Sequence, residues 1–132
     1  MASRRFLRLH TGADGESHFS DEVFDLDTIG PHLPDPVLGT SLRPASHYGV
    51  RIVPSVWERD WSAAHHPILA IYLSGEAEIE ASDGEIRKIG PGTVLLAEDT
   101  TGPGHRVSVT SQEPVTVIQI HLPSQDPSER AR

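Results

Sequence analysis

Short apolar runs separated by glycine-containing turns fill the stretch from residue 75 to residue 105. Glutamates at positions 76, 78 and 80 alternate with small or apolar residues, and the turn Ser82-Asp83-Gly84 follows them. A period of two places successive side chains on opposite faces of a strand, and Asp-Gly favours a tight reversal. The stretch therefore predicts two β-hairpins in series that end on His105 after a glycine-rich turn. We expect the glutamates to face water.

The composition favours the same class of structure for the whole chain. Its 132 residues are enough for one domain with a single core. Aromatic residues make up only 5% of the chain, so burial depends mainly on Val, Ile and Leu, which favour strands. The 11 Gly and 11 Pro residues are spread along the sequence and interrupt it too often for long helices. The sequence therefore predicts an all-β protein.

The pattern divides this single domain into N-terminal strands with a proline-rich loop (1–44), a central part (45–123) and a polar tail (124–132). In the first part, strands at 4–10 and 16–26 flank an Asp-Gly turn and pack on the central part. Four prolines between Pro31 and Pro44 predict an ordered loop without a helix or a central strand. Strands are predicted at 47–57, 68–73, 76–81, 85–89, 93–97, 106–110 and 115–122. We expect the tail to be disordered.

The charge balance limits the classes of partner. A formal net charge of −8 gives a negative field that repels phosphate backbones, so we expect no nucleic-acid partner. No segment approaches the roughly 20 apolar residues of a membrane helix, and the basic start lacks the apolar run of a secretion signal. The chain has no cysteine and hence no disulfide framework. These features predict a soluble, cytoplasmic protein without a membrane partner.

Three motifs in the central part resemble those of the cupin superfamily, whose members are jelly-roll β-barrels with an internal ligand pocket. They are Leu-Ser-Gly at 73–75, the turn Ser-Asp-Gly, and Ile-Gly-Pro-Gly-Thr-Val-Leu-Leu leading to a histidine; together they cover about 50–123. The N-terminal Thr-Gly-Ala-Asp-Gly-Glu-Ser-His-Phe and the turn Ala-Glu-Asp-Thr-Thr-Gly resemble a bacterial subgroup of single-domain cupins. The resemblance implies a homodimer, with the arm from Phe6 to Leu9 as the candidate for strand exchange.

The resemblance also implies where a metal would bind. At the positions that supply the family's ligands from the first motif, this sequence has Trp61, Ala63 and Ile68, and none of these can ligate a metal. His105 matches the ligand of the second motif. One histidine alone does not hold a transition metal, because catalytic sites generally use three protein ligands. We therefore expect no cofactor and a metal-independent site.

A non-standard divalent-metal site is the alternative, formed by His66, His105 and His121. The sequence also has His65, but adjacent residues in a strand point to opposite faces. Parity with Tyr72 selects His66 as the inward residue of the pair. If no metal is bound, these imidazoles lie in the pocket or on the surface.

Without a metal, chemistry in an apolar cavity depends on general acid and base groups. His105 is the first candidate, because an imidazole exchanges protons near neutral pH; the alternative is a histidine hydrogen-bonded to the backbone of the neighbouring turn. Tyr72 can hydrogen-bond a substrate carbonyl or simply fill the core. His66 and Glu98 are candidates to assist. Either Glu98 or Asp99 can orient His105, although a hydrogen bond from Asp99 to its own turn is the favoured alternative.

Five further residues are candidates for ligand binding: Arg51, Trp57, Trp61, Gln119 and His121. Arg51 can neutralise an anionic group or lie on the surface. Trp57 and Trp61 can form an aromatic lid over the pocket or act as packing residues. Gln119 and His121 share one face of the last strand, but the sequence does not determine whether that face points inward.

Three functions are compatible with these residues. The favoured one is a metal-independent isomerase, dehydratase (a lyase) or cyclase that acts on a small organic molecule by proton transfer. The second is a non-catalytic cupin that binds or senses a small molecule with the same residues. The third is a metal-dependent, dioxygenase-like cupin with the non-standard histidine set. The fold alone does not choose between them, because one fold hosts many chemistries.

Overall fold

The computed structural model describes residues 4–30, 32, 34–35 and 37–123, so the predicted tail lies outside the described residues. All regular structure in this part is β-strand, and none of it is a helix that could cross a membrane. The strands are β1 (Arg5–Thr11), β2 (Ser17–Val23), β3 (Asp27–Ile29), β4 (Val37–Gly39), β5 (His47–Val53), β6 (Glu58–Ser62), β7 (Ile68–Ser74), β8 (Ala77–Ala81), β9 (Ile86–Ile89), β10 (Val94–Glu98), β11 (His105–Val109) and β12 (Val115–His121). The chain is thus an all-β protein, as its composition predicts.

The strands form two main sheets and one small pair. The six-stranded sheet has the order β2-β1-β10-β7-β12-β5, and the four-stranded sheet has the order β6-β11-β8-β9. Within them β1 runs parallel to β10, and the other neighbours are antiparallel. Strands β3 and β4 form a separate hairpin.

The prediction of two hairpins in series is correct for the first and wrong for the second. Strands β8 and β9 pair with each other, but β10 leaves their sheet and inserts between β1 and β7. The run from Val94 to Ala97 is apolar on both faces, which suits a strand inside a sheet better than the outer arm of a hairpin. The turn from Gly90 to Thr93 is therefore a connection between the two sheets.

The core lies between the two main sheets. Leu9 and Leu95 enter it from the six-stranded sheet, and Ile79 and Ile89 enter it from the four-stranded sheet; all are 2% exposed or less. Burying a side chain of this size stabilises the fold by about 1.5–3 kcal/mol. The predicted alternation of β8 is confirmed, since its alanines and Ile79 are buried while its glutamates reach the surface of the sheet.

The N-terminal part departs from its predicted arrangement in two ways. First, β1 and β2 are members of the six-stranded sheet and send Leu7, Leu9 and Phe19 into the core, so they do not merely pack on a completed structure. Second, β4 (Val37–Gly39) occupies the proline-rich segment that was predicted to be a loop. The proline rule excludes only central strands, and β4 belongs to a two-stranded hairpin.

Candidate functional site

A cavity of about 420 Å³ lies between the two main sheets. Its walls are mainly apolar, with Ala70 and Val117 on one side and Ile79 and Val107 on the other. These residues alternate along their strands with side chains that point away from the cavity. A cavity of this size and lining suits a small organic ligand.

A histidine and a carboxylate form the most tightly coupled pair in this cavity. Nδ1 of His105 lies 2.5 Å from Oδ2 of Asp99; Asp99 directly follows β10, and His105 is the first residue of β11. The Asp99 side chain is fully buried, whereas His105 lines the cavity with 13% of its side chain exposed. Because Nδ1 is engaged, Nε2 is the nitrogen that remains for a ligand. The other carboxylate oxygen of Asp99, Oδ1, is buried without a hydrogen-bond partner among the described residues.

The turn before His105 is held by contacts with the first β-hairpin. The Ser17 hydroxyl donates a 2.7 Å hydrogen bond to the Gly104 carbonyl and accepts one of 2.7 Å from the backbone N–H of Ser82. Thr11 donates from its hydroxyl to the carbonyl of Thr101 at 3.1 Å. These bonds fix the backbone that carries His105, so its ring orientation does not depend on Asp99 alone.

Glycine is required at position 104. Its φ of +75° lies in the left-handed region, and a Cβ at this position would overlap the backbone of Ser62, the last residue of β6, and of Ala63, which follows it. The turn therefore lies directly against the end of β6. The absence of a side chain at Gly104 is what allows His105 to begin β11 opposite Ser62.

Two strands of the six-stranded sheet supply the other predicted polar residues. Tyr72 lines the cavity with Ile68 and Ala70, on the face that the alternation of β7 predicts. Burial raises the pKa of the Tyr72 phenol to about 12. Gln119 and His121 also line the cavity, which answers the question of direction that the sequence left open.

The paired histidines before β7 do not behave as strand residues. His65 and His66 lie in the loop between β6 and β7, and both line the cavity. The parity argument that selected only His66 is wrong for this reason, because it assumed an extended strand. The ring of His66 lies 5.9 Å from that of His121, centroid to centroid, and the ring of His47, on the edge strand β5, lies 6.3 Å from that of His121.

The proposed histidine set does not fit a metal ion in this arrangement. Within residues 4–123, as far as they are described, no three side chains of His, Cys, Asp or Glu converge in a way that could hold one. His105 is paired with Asp99, whereas His66 and His121 lie near each other. We therefore derive no chemistry through a metal.

Three of the predicted site residues lie outside the cavity. Glu98 points to the other side of the sheet, where its carboxylate accepts a 2.7 Å hydrogen bond from Arg8, so Asp99 and not Glu98 contacts His105. Arg51 is exposed on the edge strand β5. Trp61 is 39% exposed and stacks beneath the guanidinium of Arg106, 5.2 Å from the ring centre.

An irregularity in β6 explains why Trp57 and Trp61 lie on opposite faces of the sheet. Ser62 pairs with His105 and Arg59 pairs with Val107, so β6 spans three positions where β11 spans two. The extra residue reverses the alternation, as a β-bulge does. Trp57 lines the cavity while Trp61 faces outward. Arg59 also lines the cavity, and sequence reasoning missed it because the polar segment Glu58–Ser62 was not predicted to be a strand.

Together, the fold and the cavity define an all-β protein with two stacked sheets and an imidazole-lined internal site. Neither a protein-family profile nor a curated protein sequence matches the chain. Among solved structures, the chain is similar to protein NMB1881 from Neisseria meningitidis, with 15% identity and a TM-score of 0.45. That match covers 76% of this chain and 86% of the other chain.

Proposed function

We propose that this chain is a small-molecule-binding cupin whose cavity catalyses a metal-independent proton transfer, as in an isomerase, a dehydratase or a cyclase. The observation that carries this proposal is the pair formed by His105 and Asp99, with 2.5 Å between Nδ1 and Oδ2 at the cavity wall. A carboxylate behind a histidine fixes the ring tautomer and stabilises the imidazolium that forms when the ring takes up a proton. The pair thus suits a group that accepts and returns a proton.

The cupin part of the proposal is supported by the order of the strands. From β7 to β12 the chain passes repeatedly between the six-stranded and the four-stranded sheet. Such crossings are expected of a jelly roll, in which two sheets enclose a ligand pocket. The cupin-like motifs lie in this same part of the chain and include both the turn of β8–β9 and His105.

In the proposed step, Nε2 of His105 accepts a proton from a carbon atom next to a carbonyl group of the substrate. The electron pair of the broken C–H bond forms a C=C bond, and the π electron pair of the carbonyl group moves to its oxygen, which receives a hydrogen bond from the phenol of Tyr72. Since burial raises the pKa of Tyr72 to about 12, this phenol stays protonated at neutral pH. When the carbonyl group re-forms, the imidazolium returns the proton to another substrate atom, or in a dehydration to a hydroxyl group on the neighbouring carbon, which leaves as water as its C–O bond breaks. No electrons are gained or lost overall.

The cavity lining limits the substrate class. The walls are alkyl side chains, and the polar groups that line the cavity are mainly imidazoles, the Tyr72 phenol and the Gln119 amide. Arg59 is the cationic side chain in the described lining. We therefore expect a small, largely apolar carbonyl compound that places at most one anionic group near Arg59. His66 and Gln119 would orient its remaining polar atoms.

Hydrogen–deuterium exchange provides a test that does not require the natural substrate. A panel of small enolisable ketones and aldehydes is incubated with the protein in D₂O, and loss of the α-proton signal is followed by NMR. For a compound whose exchange the wild type accelerates, His105→Gln should slow that exchange about 10²–10⁴-fold. Arg51→Gln is the matched control, because Arg51 is exposed outside the cavity and should leave the rate unchanged.

Two results would reject this mechanism. One is exchange that is equally fast in wild type and His105→Gln. The other is saturable binding, seen as a rise in melting temperature, of compounds whose protons the protein does not exchange, which would assign the cavity to non-catalytic ligand binding. The apolar lining favours this binding role as the second candidate function.

A further inference from the structure

The charges that line the cavity differ from those of the chain as a whole. The sequence contains 19 acidic residues against 11 lysines and arginines, and its net charge is −8. Among the described residues that line the cavity, however, none is an aspartate or a glutamate, and Arg59 is accompanied by four histidines. The permanent charge on this lining is therefore positive, in a protein that is acidic overall. This contrast favours an anionic ligand, because the field inside the cavity has the opposite sign to that of the surface.

The guanidinium of Arg59 is not neutralised by the protein. Its Nη2 donates a 2.7 Å hydrogen bond to the hydroxyl of Ser62, which is a neutral acceptor. No carboxylate of the described residues forms an ion pair with Arg59, although acidic residues flank it on both sides in sequence. By contrast, Arg8 and Arg106 each hydrogen-bond a glutamate on a neighbouring strand. Since a guanidinium has five N–H donors, Arg59 retains several for an anion from solution.

The strand register places this guanidinium at the same end of the cavity as His105. Ser62, which accepts the hydrogen bond from Arg59, lies directly opposite His105 where β6 pairs with β11. Opposite residues of an antiparallel pair have Cα atoms about 4.5–5.5 Å apart. One small molecule can therefore contact both side chains, with its anionic group on Arg59 and a reactive carbon atom at Nε2 of His105.

The other end of the cavity is apolar and aromatic. Val109 ends β11 four residues after His105, which is a distance of about 13 Å along the strand. The backbone N–H of Val109 donates a 2.9 Å hydrogen bond to the carbonyl of Trp57, and both residues line the cavity together with Val53. The lining thus changes from cationic near His105 to apolar near Trp57. A ligand that matches both ends has an anionic group at one end and an apolar substituent at the other.

We propose that the ligand of this cavity is a small oxo acid, which is a monocarboxylate with a ketone or aldehyde carbonyl group and an apolar substituent. The assignment rests on the proposed function, which requires a C–H bond next to a carbonyl group. Arg59 lies exposed on the edge strand β6 and binds the carboxylate at the rim of the cavity. The C–H bond then meets His105, and the apolar substituent extends towards Trp57.

The number of cationic groups selects a carboxylate over a phosphate. The paired N–H groups of one guanidinium fit the two oxygens of one carboxylate. A phosphate group carries up to two negative charges, whereas Arg59 is the one arginine among the described residues of the lining, which contain no lysine. Arg59 is therefore the residue that determines specificity for the acid.

Two pairs of compounds test the assignment by calorimetric titration of the full chain. Levulinate and β-benzoylpropionate are oxo acids with a methyl and a phenyl substituent, and each has a neutral amide of nearly the same shape. We expect the wild type to bind each acid about 10–100-fold more tightly than its amide, which is the effect of a hydrogen bond to a charged group. Arg59→Gln should remove this preference. Arg106→Gln is the matched control and should keep it, because Arg106 lies outside the cavity against Glu80 and Trp61.

Tryptophan fluorescence tests where the apolar substituent lies. The chain has two tryptophans, so Trp61→Phe leaves Trp57 in the cavity and Trp57→Phe leaves Trp61 on the outside. Binding of β-benzoylpropionate should quench the emission of the first variant and not that of the second. Levulinate, with its methyl group, should quench neither. Equal quenching of both variants by β-benzoylpropionate would refute the placement of the substituent at Trp57. Circular dichroism verifies that all four variants fold.

Three results of the titration would overturn the assignment of an oxo acid. They are equal affinity of the wild type for acids and amides, a preference for acids that survives in Arg59→Gln, and no binding of either acid at millimolar concentration. These results are distinct from those that reject the proton transfer. If the acids are preferred but deuterium exchange does not depend on His105, the catalytic proposal alone fails. If exchange depends on His105 but the amides bind as tightly as the acids, the oxo-acid assignment alone fails.

Discussion

The substitution Gly104→Ala tests how closely the turn before His105 lies against β6. Its φ of +75° costs an alanine about 1–2 kcal/mol, and the new methyl group would also overlap the backbone of Ser62 and Ala63. A backbone neighbour cannot rotate away as a flexible side chain can. We therefore expect Gly104→Ala to lower the free energy of unfolding by at least about 4 kcal/mol, a value typical of severe steric disruption.

Gly84→Ala provides the matched control. Gly84 also has a positive φ, +100°, but a Cβ there would have no neighbour within 4 Å. This variant should lose only the conformational term of about 1–2 kcal/mol. The gain from restricting the unfolded chain, about 0.4–1 kcal/mol, is common to both variants and cancels in their comparison.

Urea unfolding followed by fluorescence of the two tryptophans measures both variants. For a chain of this length, 1 kcal/mol corresponds to about 4 °C in melting temperature. Gly104→Ala should therefore melt at least about 8 °C below Gly84→Ala, since the two losses differ by at least about 2 kcal/mol. Equal losses in the two variants would refute the reasoning, because they would mean that the turn does not touch β6.

Three further predictions concern single side chains. The ring nitrogens of His18, which is not among the residues that line the cavity, lie 2.9 Å from Asp14 and from Asp83. Hydrogen bonding to Asp14 and Asp83 raises the pKa of His18, and the hydrogen bond with His18 lowers the pKa of Asp14. The melting temperature of the wild type should therefore fall as pH rises above about 6.5, and that of His18→Gln should fall less over the same range. Ile79→Ala should cost about 2–5 kcal/mol in urea unfolding, since Ile79 is 1% exposed, and a loss below 1 kcal/mol would contradict its place in the core. Asp99→Asn should cost about 1–3 kcal/mol because it replaces a charge-assisted hydrogen bond and buries an amide N–H without an acceptor; unchanged stability would argue against the pair with its histidine.

The sign of the His18 effect follows from both groups of the ion pair. A raised pKa means that the folded state favours the protonated ring, so the stabilisation is complete below the unfolded value of 6.5 and is lost as pH rises through the folded value. The lowered pKa of Asp14 adds stability above 3.8 that is lost as pH falls. Both contributions are therefore present together between about pH 4 and 6.5.

Local patterns in the sequence were sufficient for most of the strands. The alternation from Ala77 to Ala81 and the apolar runs of β7, β10 and β12 have the periods that strands require, and the structure has strands there. What the patterns could not specify is which sheet each strand joins. That choice depends on contacts between distant segments, such as the parallel pairing of Leu7 with Leu95.

The site residues were predicted best where a regular strand carries them. Tyr72 follows the alternation of β7 into the cavity, whereas Trp61 was misplaced by the bulge in β6 and His65 by an irregular loop. β-Bulges and irregular loops interrupt the alternation of side chains along a strand, and neither leaves a clear signal in the sequence. The sequence left Glu98 or Asp99 as the partner of His105 and favoured a hydrogen bond between Asp99 and its own turn. That favoured alternative is wrong, because the folded turn brings Oδ2 of Asp99 within 2.5 Å of His105 and leaves Oδ1 without a partner among the described residues.

The hydrogen bonds that hold the turn before His105 join two segments that are far apart in the chain and are therefore synthesised at different times. The hydrogen bond from Ser17 to Gly104 spans 87 residues, and that from Thr11 to Thr101 spans 90. Pairings of such long separation form slowly, because the intervening chain must first be brought into place. During synthesis the first hairpin is therefore complete before residues 101–104, to which it hydrogen-bonds, have been added to the chain. A chain interrupted before residue 105 therefore contains the first hairpin but lacks the histidine whose backbone that hairpin helps to hold.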